Sequence, residues 1–347
     1  MILRWVLASI VLLCTTVFAL PRFRKTGYDE QEAWLLLNLA AGAYADSPYE
    51  CVNRTFPPHE ARVLLENIGE ECDIVSSLCS GYVVKSDRLQ HLVLVFRGTK
   101  TKTQLLLEGW ASHSDGAPFF DMGDVNKYFL HAHQVLWPPV DRVLRDPRYQ
   151  HYAVTVTGHS LGGALAALAA ARIVNQGLRQ SGQIRLITFG EPRVGSGKFA
   201  KNFDAIVPNA YRVVFRRDIV PHMPACRKDF SDTRLREEDV HPCDDYEGTA
   251  AYHHGTEIWY PDCMDPGCTY LECTGLPKNE DMQCSDKLSF NLGDTSDYVW
   301  DHRNYFGVKV TSYGKSGCDG VFNATEVKEG TIHKIVSGLK MWASNIG

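Results

Sequence analysis

Between Ala153 and Ala171 the chain reads AVTVTGHSLGGALAALAAA, and this junction limits the possible folds more than any other stretch. Ala153 to Thr157 is short, β-branched and bounded by glycine, the pattern of a buried strand. From Ala164 to Val174 the chain is rich in alanine, with Leu161, Leu165 and Leu168 at helical spacing and Gly177 placed as a C-terminal cap. The corner between them is Gly158-His159-Ser160-Leu161-Gly162, a G-x-S-x-G sequence. Small flanking residues let the backbone turn sharply there and hold the Ser160 hydroxyl above a sheet, as a nucleophile elbow does. The same letters could also mark a plain glycine-rich turn.

The order around the corner is regular. A strand from Tyr152 to Val156, a helix from Gly163 to Gln176, a strand from Gln183 to Phe189, a helix from Lys198 to Ile206 and a strand from Tyr211 to Phe215 alternate. Such alternation predicts an α/β chain whose helices cover both faces of a sheet, with catalytic groups beyond the carboxyl ends of the strands. The expected fold is therefore an α/β-hydrolase with a central mixed, mostly parallel sheet. Upstream, the pattern predicts a helix over Asp29 to Tyr44, strands at Tyr82 to Val84 and His91 to Phe96, and one or two helices over Val125 to Val143 broken at Pro138-Pro139. Cys226 to Cys284 is polar and rich in Asp, Pro and Cys, and reads as a disulfide-stapled excursion from the core.

The chain of 347 residues, 44% hydrophobic and 22% charged, can bury a sizeable core as one large domain or two small ones. Its formal charge of −5 and lack of a basic stripe give no case for nucleic acid. At the N-terminus, Arg4 precedes an apolar run from Trp5 to Val17, and Val17-Phe18-Ala19 suits cleavage after Ala19. This predicts a signal peptide over residues 1–19, a secreted extracellular protein and a single hydrolase domain over 20–347. An uncleaved anchor is the competing reading, but the run falls short of the roughly 20 residues that cross a bilayer. No stable membrane span is expected, and the protein is read as a monomer.

Of the 11 cysteines, Cys14 would leave with the signal. Cys51, Cys72, Cys79, Cys226, Cys243, Cys263, Cys268, Cys273, Cys284 and Cys318 remain as an even set, which fits a disulfide framework. A zinc site is the rival at the short spacings from Cys263 to Cys273, but the chain has no C-x-x-C pair. Two glycosylation triplets, at Asn53 and Asn323, agree with export.

A serine hydroxyl is a poor nucleophile alone, so the elbow requires a histidine to take its proton and a carboxylate to orient that histidine. In α/β-hydrolases the chain order is Ser, Asp or Glu, His. Asp218 directly follows the strand ending at Phe215, whereas Asp204 falls in a helical stretch. Alternatively, Asp218 could pair with Arg216 or Arg217. Six histidines follow it, His222, His241, His253, His254, His302 and His333, and spacing does not choose among them.

The elbow VTGHSLGGALA, ITFGEPRVG, YRVVFRRDIVPHMP and VFRGT together resemble the class 3, or fungal-type, lipase family, with the secreted nematode-like branch nearest. The resemblance implies that D-H-R-N-Y-F-G supplies His302 as the base, with His253 in reserve, since YHHGTEIWY is similar to a strand segment. It also implies an oxyanion site formed by the Leu161 N–H and by Thr99 through its N–H and hydroxyl, and a lid over Thr101 to Trp110 that carries Leu105, Leu106, Leu107 and Trp110. Proximity and resemblance together suggest bridges Cys51 to Cys318, Cys72 to Cys79, Cys226 to Cys243, Cys263 to Cys268 and Cys273 to Cys284. The implied activity is a secreted triacylglycerol lipase acting at a lipid–water interface through an acyl-enzyme, without metal or organic cofactor. A phospholipase A1, another carboxylesterase on the same scaffold, or a lipid-binding protein that only keeps the fold would be the alternatives.

Overall fold

The computed structural model describes residues 26–57, 59–71, 78–99, 116–236, 239–244, 248–265, 267–275, 277–291 and 294–320. The expected signal peptide and Cys14, Cys72, the expected lid residues Leu105, Leu106, Leu107 and Trp110, Asn323 and His333 lie outside them.

An eight-stranded sheet organises the chain. Its spatial order is Arg62–Glu71, Leu78–Ser86, His91–Phe96, Ala153–His159, Ile184–Phe189, Ala210–Phe215, Thr256–Tyr260 and Leu271–Glu272. The first three strands pair antiparallel, the five from His91–Phe96 to Thr256–Tyr260 run parallel, and the last edge is antiparallel. This is the mixed, mostly parallel sheet of the α/β-hydrolase fold.

Strand period 2 divides the side chains between two cores. Leu92, Leu94 and Phe96, with Val154 and Val156, face the helices Lys127–Arg145 and Leu161–Asn175. Val93 and Val95, with Ile187 and Phe189, face the N-terminal helix Glu30–Gly42. Burial on both faces explains why these strands are nearly continuous apolar runs. Asp29 caps the N-terminal helix by accepting from the Gln31 and Glu32 N–H groups. The central helix Leu161–Asn175 sits close against the sheet because Ala164, Ala166, Ala167, Ala169, Ala170 and Ala171 are fully buried.

Two expectations are corrected, and one strand is additional. Lys127–Arg145 is one helix that continues through Pro138-Pro139. An interior proline costs about 3 kcal/mol, but this helix buries Phe129, Leu136, Trp137, Val140 and Leu144 on both sides of the pair. At about 1.5–3 kcal/mol for each large apolar side chain, that burial outweighs the break. The strand Arg62–Glu71, which carries no clean alternation, was not foreseen. Finally, residues 226–284 are not an excursion throughout, because Thr256–Tyr260 is a fully buried interior strand of the main sheet. Its Glu257 is tolerated there because it lies in register with Arg212 on the neighbouring strand, 3.9 Å from its guanidinium.

Disulfides join Cys51 to Cys318, Cys226 to Cys243, Cys263 to Cys268 and Cys273 to Cys284, the pairs the resemblance implied. Cys79 is also disulfide-bonded. Asn53 is exposed on the helix Tyr49–Thr55.

Candidate active site

Ser160 stands between the strand Ala153–His159 and the helix Leu161–Asn175, at φ 62° and ψ −131°. A non-glycine residue there costs on the order of 1–3 kcal/mol and persists only where its surroundings enforce it. The enforcement is close approach. A Cβ on Gly158 would come within 2.2 Å of the Gly162 carbonyl oxygen, and the Ser160 N–H donates to the Phe189 carbonyl at 2.9 Å. Ser160 is 3% exposed, and its Oγ has no hydrogen-bond partner among the described residues.

Asp218 follows the strand Ala210–Phe215 through a tight turn in which its N–H donates to the Phe215 carbonyl. It is fully buried. Oδ1 accepts from the Val220 N–H at 2.9 Å, and Oδ2 accepts from the Tyr305 hydroxyl at 2.6 Å. His302 Nδ1 lies 3.0 Å from Oδ1 and 2.9 Å from Oδ2. These are charge-assisted bonds, which satisfy a carboxylate that could not otherwise be buried. Arg216 and Arg217 point elsewhere, to Asp301 at 3.6 Å and Asp294 at 3.8 Å.

His302 is 2% exposed in the last turn of the helix Thr295–Arg303. With Nδ1 donating to Asp218, the neutral ring carries its free lone pair on Nε2, the tautomer a general base needs. Gly190, at φ +58°, makes room for this pair: a Cβ there would sit 2.6 Å from Asp218 Oδ2 and 2.8 Å from His302 Nδ1. The other candidate histidines among the described residues are engaged apart from Asp218. His253 Nε2 lies 2.6 Å from the Pro221 carbonyl, His254 Nε2 3.1 Å from Glu191, His222 Nδ1 3.7 Å from Asp286 and His241 Nε2 2.9 Å from the Arg236 carbonyl. Burial holds the His222 imidazole down to about 3.

Thr99 follows the strand His91–Phe96 and is half-buried, and its Oγ1 has no partner among the described residues. Its neighbour Gly98 packs on the nucleophile, since a Cβ there would come within 3.1 Å of the Ser160 Cβ. Leu161 opens the central helix, where the first N–H groups have no intrahelical acceptor and the helix dipole favours negative charge. Two hydroxyls without partners among the described residues, beside a helix N-terminus, can accommodate a reacting carbonyl whose oxygen gains charge.

Tyr305, Gly190 and His159 were not read from the sequence as parts of this site. Tyr305 stands inside the D-H-R-N-Y-F-G motif, which was the available signal. Among the described residues, one group has metal-like donor spacing, Glu257 with Cys273 and Cys284. Those two sulfurs are joined to each other at 1.99 Å, which removes them as thiolate ligands.

Residues 93–228 match the family model for lipase (class 3). A lipase of Caenorhabditis elegans is 48% identical over 339 residues, covering 96% of this chain and 96% of that protein. The chain belongs to the class 3 lipase family. It is accordingly a carboxylic ester hydrolase, of lipase or phospholipase type. A lipase of Rhizomucor miehei is 30% identical over 66% of this chain and 55% of its own length. Among solved structures, this class 3 lipase superposes on a lipase of Rhizopus microsporus var. chinensis with a TM-score of 0.65, at 23% identity over 83% of this chain and 90% of that one. It also superposes, at TM-score 0.58 and 24% identity over 82% and 97% of the two chains, on a triacylglycerol lipase whose catalytic centre is described as a serine protease triad.

Proposed function

We propose that this protein is a secreted triacylglycerol lipase that works through a Ser160-His302-Asp218 triad. The observation that carries the reading is the buried His302–Asp218 pair, 2.9 Å apart, stacked on His159, which is followed directly by a serine at a strained elbow whose hydroxyl has no partner among the described residues. In this mechanism His302 Nε2 takes the Ser160 proton as Oγ attacks the ester carbonyl. Asp218 stabilises the imidazolium that forms, and the N–H groups of Leu161 and Thr99, with the Thr99 hydroxyl, hold the oxyanion. His302 then passes its proton to the departing alcohol, leaving an acyl-enzyme, and activates a water that releases the fatty acid. No step calls on a metal or organic cofactor.

Export is supported by the sequence of residues 1–19 and by the disulfides. Acylglycerol is favoured over phospholipid as substrate because the relative aligned over 96% of the chain is a lipase, whereas a rice phospholipase A1 matches over only 22%. A serine-directed phosphonate should label the protein but not its Ser160→Ala variant. Turnover should then be higher on triolein than on phosphatidylcholine. A folded protein that takes no label would exclude the hydrolase mechanism, and a preference for phosphatidylcholine would make it a phospholipase.

A further inference from the structure

His159, the residue before the nucleophile, is 3% exposed and hydrogen-bonded at both ring nitrogens. Nε2 lies 2.8 Å from the carbonyl oxygen of His302, and Nδ1 lies 2.9 Å from the Tyr44 hydroxyl. A carbonyl only accepts, so the hydrogen is on Nε2, Nδ1 is the acceptor, and the Tyr44 O–H donates to it. The Gly98 backbone packs on that hydroxyl, since a Cβ on Gly98 would come within 2.2 Å of the Tyr44 oxygen. A directed chain therefore runs from the Tyr44 O–H to the His159 ring and on to the His302 carbonyl.

The chain ends where it can hold something. The His302 carbonyl belongs to the last turn of Thr295–Arg303, where carbonyls lack intrahelical donors, and His159 supplies one. The two imidazoles also stack, with centroids 4.7 Å apart and planes 26° from parallel. At the other end, Gly98 leads into Thr99 and packs on Ser160. We propose that Tyr44 and His159 are positioning residues that lock the base-bearing helix end and the oxyanion loop into one geometry around Ser160. The proposal rests on the triad reading above. Burial and the neighbouring His302 keep the His159 ring neutral, with its proton affinity pushed down to about 3. It can therefore support His302 without competing for the proton or repelling the imidazolium.

The test compares Tyr44→Phe, His159→Leu and His159→Gln on a soluble short-chain p-nitrophenyl ester, together with their rates of phosphonate labelling. Misplacing a catalytic group by about 1 Å can cost about 100-fold in rate, so Tyr44→Phe and His159→Leu should each lower kcat by about 10- to 100-fold. KM should stay within about twofold, because binding shared by ground and transition states is untouched. A glutamine amide has an acceptor and a donor to replace both ring nitrogens, so His159→Gln should recover most of the loss. Tyr44→Phe removes a single oxygen and remains informative if His159→Leu does not fold. Folded Tyr44→Phe whose kcat and labelling rate stay within about threefold of wild type would overturn the positioning role, as would His159→Gln no better than His159→Leu. If the wild-type protein itself resists the phosphonate, the underlying hydrolase reading falls and this role falls with it.

Discussion

The Tyr305 hydroxyl lies 2.6 Å from Asp218 Oδ2, the same oxygen that stands 2.9 Å from His302 Nδ1. One buried carboxylate oxygen thus serves both a tyrosine and the proposed base, and the tyrosine draws charge away from the histidine. Burial, followed by the Asp218 charge, holds the Tyr305 proton in place well above the ordinary tyrosine range.

Tyr305→Phe keeps the ring and removes the bond. Hydrogen bonds to charged groups contribute about 1.5–3 kcal/mol, and a fall of that size should appear in urea unfolding. With one donor fewer, Asp218 is held less firmly against His302, so kcat on a soluble ester should fall by about 10-fold, which steady-state kinetics of variant and wild type can check.

Ser160→Ala and His302→Ala should each abolish measurable turnover, since loss of a triad member costs about 10⁴-fold or more. His253→Ala should retain measurable activity wherever it folds, because the His253 ring is bound to the Pro221 carbonyl rather than to Asp218. A fully active His302→Ala protein would reassign the base.

Arg193 forms two bonds with Glu280, at 2.8 and 2.7 Å, with both side chains almost fully buried. It also donates to the His222 and Pro224 carbonyls in the loop that follows Asp218. Arg193→Met leaves the buried Glu280 without this cation, still accepting from the His253 N–H at 2.8 Å, which costs about 3–5 kcal/mol. Arg193→Met with Glu280→Leu removes the stranded charge and should unfold at a higher temperature than Arg193→Met alone, which thermal unfolding by circular dichroism can show.

His133 is fully buried, and desolvation followed by the nearby Arg172 depresses its proton affinity to about 3. The unfolded chain binds this proton near pH 6.5 and the folded protein does not, so acid favours unfolding. His133 supplies full stability above that pH and loses it as pH falls from about 6.5 toward 3, by about 1.4 kcal/mol per pH unit. His133→Phe keeps an aromatic ring beside Phe119 and Trp137. Relative to wild type, the variant should gain about 2 kcal/mol between pH 7 and pH 5 in urea titrations.

The sequence by itself determined the elbow, the alternating order and the class of chemistry. Backbone constraints at Gly158-His159-Ser160 act over a few residues, and strand and helix periods are local, so each is written in neighbouring letters. Four of the cysteine pairs followed too, although only with the help of proximity and family resemblance. Tertiary structure decided which histidine serves Asp218, because 84 residues separate it from His302 and no local rule spans that distance. It also decided that Lys127–Arg145 stays one helix, since the burial that outweighs Pro138-Pro139 comes from elements remote in the chain. Likewise, Glu257 can sit inside a buried strand only because register brings Arg212 beside it. Tyr44, His159 and the His302 carbonyl form one hydrogen-bonded chain only after a helix, a strand end and a second helix end converge. Directional bonds between distant segments leave no periodic trace in sequence, and they appear only once packing has fixed where the segments meet.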